Sequence, residues 1–324
     1  MKSAAEGKII SISGATVRTD LTGLSLFERV SIGEQNLTGE VVRLEKNATV
    51  LQVYEDPSGL GLNEPVKGLG GGLSTTLGPG LLSVMFDGLQ RQLDMLADKT
   101  GPFIHPLHLD SSVDLEKKWI FKPLVKKGDP VSSGTKIGYI DEGPFQHPII
   151  APPRTSGNVK SILQGLVTLE KPLCKLDNGG MIYGYHSWPM RVPRPYKKKI
   201  SPKEPVITGQ RIIDFLFPLA RGGTSIIPGG FGTGKTILEQ TIAKFADVDI
   251  VIYAGCGERG NEMSELIEEF HELIDPRTGC PLMERTVLVV NTSNMPVAAR
   301  EASIYTAVTL GEYFRDLGFH VLLL

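Results

Sequence analysis

Cysteine is scarce and unpaired here. The three present, Cys174, Cys256 and Cys280, form no C-x-x-C pair. That excludes a thiolate metal framework and a disulfide scaffold, and it suits a reducing compartment. Long apolar runs are also missing, and none approaches the roughly 20 residues of a membrane-spanning helix. The opening MKSAAEGKII lacks the extended apolar core of a secretory leader. Neither sign of charge is in excess: 34 Lys+Arg against 36 Asp+Glu leave a net charge of −2. No basic excess argues for nucleic acid, and no acidic tail argues for a solvating role. What remains is ordinary for a globular protein, 41% apolar and 22% charged over 324 residues, with two or three domains as the expectation from length. The simplest placement is cytoplasmic, with any membrane association made through a complex.

Residues 7 to about 70 are rich in short strands, KIISISGATVRTD, ERVSIGEQNLTGEVVRLE and ATVLQVYED, set between Gly, Asn and Asp turns. Closely spaced short strands predict a small barrel, placed at 1–70. A linker with a helix is expected over 71–109: glycines in VKGLGGGLSTTLGPGLL, then Leu82, Met85, Phe86, Leu89, Leu93 and Leu96 at helical spacing. Residues 110–190 read as an all-β insertion with turns at Gly128-Asp129-Pro130 and Ser133-Gly134. The basic stretch RVPRPYKKKI, Arg191 to Ile200, reads as a solvated Pro-rich linker. From there to residue 324 strands and helices alternate, which predicts a parallel sheet covered by helices. The chain stops inside the apolar run HVLLL. A naked core strand is an unusual terminus, so this α/β domain over 191–324 is expected to be incomplete.

Within that domain, PGGFGTGKT (Pro228 to Thr236) fits G-x-x-x-x-G-K-[ST]. Such a loop needs glycine because backbone N–H groups must converge on phosphate oxygens with no Cβ in the way. Gly229, Gly230, Phe231, Gly232, Thr233, Gly234, Lys235 and Thr236 are the candidate triphosphate-binding residues. Lys235 supplies a point charge to the β/γ-phosphates, and Thr236 a hydroxyl to Mg²⁺. A strand, GTSIIPGG, is expected before the loop and a helix, KTILEQTIAKFAD, after it, its positive end aimed at the anion.

The next strand is expected to end in the Gly-rich turn of YAGCGERGNE, which carries Glu258 and Arg259. Ligands of open α/β sheets sit beyond the carboxyl ends of the strands. Glu258 is therefore the candidate catalytic carboxylate, orienting the attacking water, and Arg259 a candidate for stabilising the transferring phosphoryl group. Glu262, Glu265, Glu269 and Glu272 recur opposite Met263, Leu266, Ile267 and Phe270, the pattern of a solvated helix face. His105 and His108 lack the neighbours of a metal site.

The segments LGPGLLSVMFDGLQRQL, PLVKKGDPVSSGTKIGYI, WPMRVPRP, TGQRIIDFLFPLARGGTSIIPGGFGTGKT, GCGERGNEM and NTSNMPVAAREASIYTAVTLGEYFRD together resemble the catalytic A subunits of V-type and A-type rotary ATPases. The resemblance covers essentially the whole chain. It implies a RecA-like phosphate-loop core with an N-terminal β-barrel and the extra β domain of A subunits, and ATP or ADP with Mg²⁺ as ligands. It implies an alternating hexamer of three A and three B subunits, with central and peripheral stalks coupling ATP turnover to proton or sodium transport at the cytoplasmic face of a membrane. Position by position, it implies that Gly229 to Thr236 bind triphosphate and Mg²⁺, that Glu258 orients water, and that Arg259 neighbours the γ-phosphate. An arginine finger would come from the neighbouring B subunits. The family continues beyond VLLL into a metal-supporting Asp, a base pocket and a helical domain, so this stretch alone is expected to hydrolyse little or nothing. Thr233 stands where vacuolar members carry Cys, which implies a bacterial or archaeal type without thiol regulation at the loop. A hexameric RNA helicase would need stacking aromatics and a basic groove, and aromatics are only 7% of the chain. A secretion ATPase shares the core but lacks the insertion.

Overall fold

The computed structural model describes residues 5–101, 112–230 and 232–324, so Phe231, His105 and His108 lie outside the described residues. Six strands come first: β1 (Glu6–Ser13), β2 (Thr16–Thr19), β3 (Arg29–Ile32), β4 (Leu37–Leu44), β5 (Thr49–Val53) and β6 (Pro65–Gly68). They close into a barrel in the order β1-β2-β5-β4-β3-β6. Alternate residues point inward, as with Val30 and Ile32 on β3, and join Ile9, Val17, Leu51 and Val66 in a sealed core. Closure leaves no strand edge open.

The expected linker holds two strands, β7 (Ser74–Leu77) and β8 (Met85–Phe86), and a helix only at α1 (Leu93–Thr100). The long helix predicted from Leu82 to Leu96 is not there. Asp87 breaks it: its carboxylate accepts the backbone N–H of Leu89 at 2.9 Å and of Arg91 at 2.8 Å, and it takes Arg91 Nε at 2.7 Å. An Asx turn wins over the helix. Leu82, Phe86 and Leu96 are still buried, but by tertiary packing rather than along one helical stripe.

The insertion holds β9 (Trp119–Pro123), β10 (Pro130–Ser132), β11 (Lys136–Glu142), β12 (Phe145–Ile150), β13 (Ser156–Ile162), β14 (Gly165–Val167), β15 (Cys174–Leu176) and β16 (Met181–Ile182). Two four-stranded sheets, β10-β13-β15-β16 and β12-β11-β9-β14, pack around Phe121, Ile137, Ile140, Val159 and Leu173. The predicted turns are real: Gly128 and Gly134 have φ of 96° and 80°, which a side chain would strain. β17 (His186–Pro189) then returns to pair with β7.

The last region contains β18 (Pro205–Val206), α2 (Arg211–Leu216), β19 (Leu219–Ala220), α3 (Lys235–Phe245), β20 (Ile250–Glu258), α4 (Gly260–Glu272), β21 (Thr286–Thr292), α5 (Val297–Leu317) and β22 (Val321–Leu323). A fully parallel sheet runs β22-β20-β21-β8. Its two faces follow from the period of two: Ile250 and Ile252 of β20 pack under α5, while Val251 and Tyr253 pack under α3 and α4. The strand expected at GTSIIPGG does not form. No neighbouring strand runs beside it among the described residues, Ile226 is 84% exposed, and only Ile227 reaches the core.

The basic stretch is not wholly solvated either. Lys197, Lys198 and Lys199 are exposed, but Arg194 is 1% exposed and Arg191 is half-buried. Arg191 Nη2 reaches the buried Glu40 of the barrel at 2.8 Å, and its guanidinium lies 4.6 Å from the ring centres of both Phe27 and Tyr305. Arg194 Nε reaches Asp316 of α5 at 2.7 Å. On the insertion side, buried His147 sits between Glu142 at 2.6 Å and Tyr313 of α5 at 2.7 Å. The helix α5 is therefore the spine to which barrel, insertion and sheet are all fastened.

Candidate active site

The phosphate loop leads into α3 through Gly234, whose φ of 82° makes it a left-handed N-cap. Gly229 leaves room for the Thr233 hydroxyl: a Cβ there would lie 2.5 Å from Thr233 Oγ1 and force that side chain to rotate. Thr233 Oγ1 donates to the Gly230 carbonyl at 2.9 Å. Lys235 Nζ donates to the carbonyls of Gly229 and Gly230, each at 2.6 Å. Its ammonium thus sits over the loop. Thr236 lies half-buried in the first turn of α3, and the loop glycines are exposed. Mg²⁺ asks for oxygen ligands and keeps several waters. Among the described residues no cluster of three His, Cys, Asp or Glu could hold a metal. The residues here fit a Mg²⁺ ion that takes one hydroxyl from the chain and the rest from phosphate and water.

Glu258 is the last residue of β20 rather than part of the turn after it. Its placement rests on a bulge. Register along β20 and β21 runs Cys256 to Asn291 and then Glu258 to Thr292, so Gly257 is an extra residue, with φ of 84°. Strict alternation from Ile252 would put residue 258 on the α5 face. The inserted Gly257 moves it to the other face, the side of Tyr253 and α3. A Cβ on Gly255 would accordingly lie 3.4 Å from Glu258 Cγ.

On that side Glu258, Glu262, Glu239 and Tyr253 lie within electrostatic reach of one another, and the Lys235 ammonium acts on Glu258 and Glu239. Burial pushes the Glu258 carboxyl above the ordinary range, the charge and hydrogen bond of Glu262 push it further, and the Lys235 ammonium opposes both. Glu239 of α3 is likewise raised by burial and by the charge of Glu258, again with Lys235 opposing. The Tyr253 phenol is raised strongly by burial and by all three carboxylates. A carboxyl raised in this way is a better proton acceptor than an ordinary one once it is ionised.

The structure thus brings Lys235 and Glu258 into electrostatic reach of each other. Arg259 it leaves largely outside: the side chain is 59% exposed and stands 3.8 Å from Glu262 at the start of α4. Glu265, Glu269 and Glu272 are exposed as predicted, but Glu262 turns toward Glu258 and is not simply a member of the wet face. The sequence pattern does not single out Glu239, although its spacing of four from Lys235 places both on one helical side.

A left-handed cap, a converging glycine loop, a lysine and a carboxylate at the carboxyl edge of a parallel sheet define a phosphate-loop nucleotide-binding fold. The chain belongs to the ATP synthase alpha/beta family: residues 9–70 match its beta-barrel domain, 111–191 its barrel-sandwich domain and 209–324 its nucleotide-binding domain. It is 49% identical over 320 residues to an A subunit of the A-type ATP synthase of Methanospirillum hungatei, covering 98% of this chain and 55% of that protein. Against the A subunit of the A-type ATP synthase of Nanoarchaeum equitans it is 51% identical over 315 residues, covering 97% and 55%. The corresponding protein of Thermococcus onnurineus is 49% identical over 325 residues, covering 98% and 56%. The chain therefore spans about half the length of the curated relatives it matches. In fold it resembles the assembled type III secretion ATPase EscN of enteropathogenic E. coli, with a TM-score of 0.57 at 23% identity over 98% of this chain and 56% of that one.

Proposed function

We propose that this chain carries the catalytic nucleotide site of an A-type rotary ATP synthase, making or hydrolysing ATP in step with proton or sodium transport. The observation that carries the reading is the pairing, on one sheet face, of the Lys235 ammonium over the phosphate loop and the raised carboxyl of Glu258. ATP or ADP would take its phosphates to the amides of the phosphate loop and of the first turn of α3. Lys235 would exchange its two carbonyl partners for phosphate oxygens. Mg²⁺, held in part by Thr236, would supply charge neutralisation at the β- and γ-oxygens. Glu258 would accept a hydrogen bond from the attacking water and orient it in line with the phosphorus. Arg259, exposed and beside Glu262, would reach the transferring phosphoryl group by a side-chain rotation.

In this reading, supported by the similarity to the A subunits of A-type ATP synthases, the partners would be B subunits alternating with this chain in a hexamer, and central and peripheral stalks. No helix among the described residues is long and apolar enough to cross a membrane. In this reading membrane contact is made through the complex, at the cytoplasmic face. The test is Glu258→Gln in the assembled, full-length complex. ATP binding should persist while turnover falls by about 10²-fold or more. Undiminished hydrolysis would remove Glu258 from the mechanism.

A further inference from the structure

Arg300 has no task in the mechanism above. It sits in the first turns of α5, on the far side of β21 from the phosphate loop's helix, yet its guanidinium reaches back over the carboxyl ends of two strands. Its Nη2 donates to the carbonyl of Ser293, and to that of Met295 at 3.4 Å. Its stem lies on Gly257: a Cβ there would be 3.3 Å from Arg300 Cδ and 3.5 Å from both Nε and Nη1. Arg300 Nε is closed off from solvent with no hydrogen-bond partner among the described residues, a cost that a purely decorative surface arginine would not carry. Ser293 in turn donates its N–H to the Glu258 carbonyl at 2.8 Å. One side chain therefore touches the bulged residue before Glu258 and holds the residue that clamps Glu258 from behind.

The bulge is the point of leverage. It alone sends the Glu258 side chain to the α3 face, and a single extra residue in one strand is a local feature that re-aims the side chain beside it. Gly257 leaves the space that the arginine stem fills.

Resting on the catalytic reading of Glu258, we propose that Arg300 is a positioning residue that latches the Gly257 bulge and so holds the Glu258 carboxylate over the phosphate loop. Arg300 touches no reacting atom. It acts by fixing where the carboxylate stands, and small displacements of such groups lower the rate steeply.

The test uses the full-length chain assembled in its complex, with Arg300→Met, Arg300→Lys and Glu258→Gln side by side. Arg300→Met should lower kcat about 10-fold while KM for ATP and the affinity for a fluorescent ADP analogue stay within about twofold. The acid limb of its kcat–pH profile should move toward lower pH, because an unlatched carboxyl leaves Glu262 and gains water. Arg300→Lys, which keeps one donor for the two carbonyls, should recover at least about threefold of the loss. Should Arg300→Met fail to assemble, Arg300→Lys and Gly257→Ala carry the same kcat, KM and pH comparison, with Gly257→Ala expected to fall in the same direction. Unchanged kcat and acid limb in the Arg300 variants, with Glu258→Gln inactive, overturn the latch and leave the catalytic reading standing. Parallel loss of binding and turnover with no pH change overturns it as well, by making Arg300 merely structural. An active Glu258→Gln enzyme brings down the catalytic reading, and the latch with it.

Discussion

His186 should make this protein sensitive to mild acid. It lies on β17, packed against Tyr313 with ring centres 5.8 Å apart, and its Nε2 accepts a hydrogen bond from Arg194 Nη1 at 3.0 Å. Burial, and then the Arg194 guanidinium, hold its pKa down to about 3. An unfolded histidine titrates near about 6.5. Between those two values the unfolded chain takes up a proton that the folded protein refuses, so acid favours unfolding and stability rises with pH. The contribution is fully present above about pH 6.5 and is lost progressively as pH falls toward about 3. Going from about pH 7.5 to about pH 5 crosses about 1.5 pH units of this window, or about 2 kcal/mol at about 1.36 kcal/mol per unit. Urea unfolding followed by tryptophan fluorescence measures it, and Trp188 is a suitable reporter because Arg194 lies 5.0 Å from its ring centre. Other groups also titrate, so the quantity to read is the stability difference between wild type and His186→Gln. Over that pH range the wild type should lose about 2 kcal/mol more than the variant does. A difference that does not move with pH would refute the assignment of a neutral, guanidinium-facing histidine at this joint.

Two further outcomes concern the site. Glu262→Gln removes a like charge that holds the Glu258 carboxyl up, so the acid limb of kcat against pH should move to lower pH, with turnover near about pH 8 changed by less than about threefold; an acid limb that stays put would detach Glu262 from the site. Lys235→Ala should weaken triphosphate binding, read by equilibrium titration with a fluorescent ATP analogue, and unchanged affinity would undermine the loop assignment.

Local chemistry was legible without any structure. The glycine pattern of the phosphate loop, the helix after it, the turns of the insertion and the alternating strands of the barrel each depend on neighbours a few residues apart. Periodicity carries such information directly. At one place where it misled, the competing interaction was still close by: Asp87 captured two nearby amides and ended the helix predicted through Leu89. At another it was remote. Arg191 and Arg194 read as solvated because their partners, Glu40 and Asp316, are 151 and 122 residues away.

By itself the sequence determined which groups are available for chemistry: a lysine and a hydroxyl on a glycine loop, and an acid at the end of the strand that follows. Only the tertiary structure decided that the acid stands on the sheet face that packs against the lysine's helix. Counting by twos from the buried Ile252 sends residue 258 to the opposite face, and one extra glycine in the ladder with β21 reverses it. A bulge is a relation between two strands, set by which residue of one lies beside which residue of the other. No pattern within either strand alone contains it.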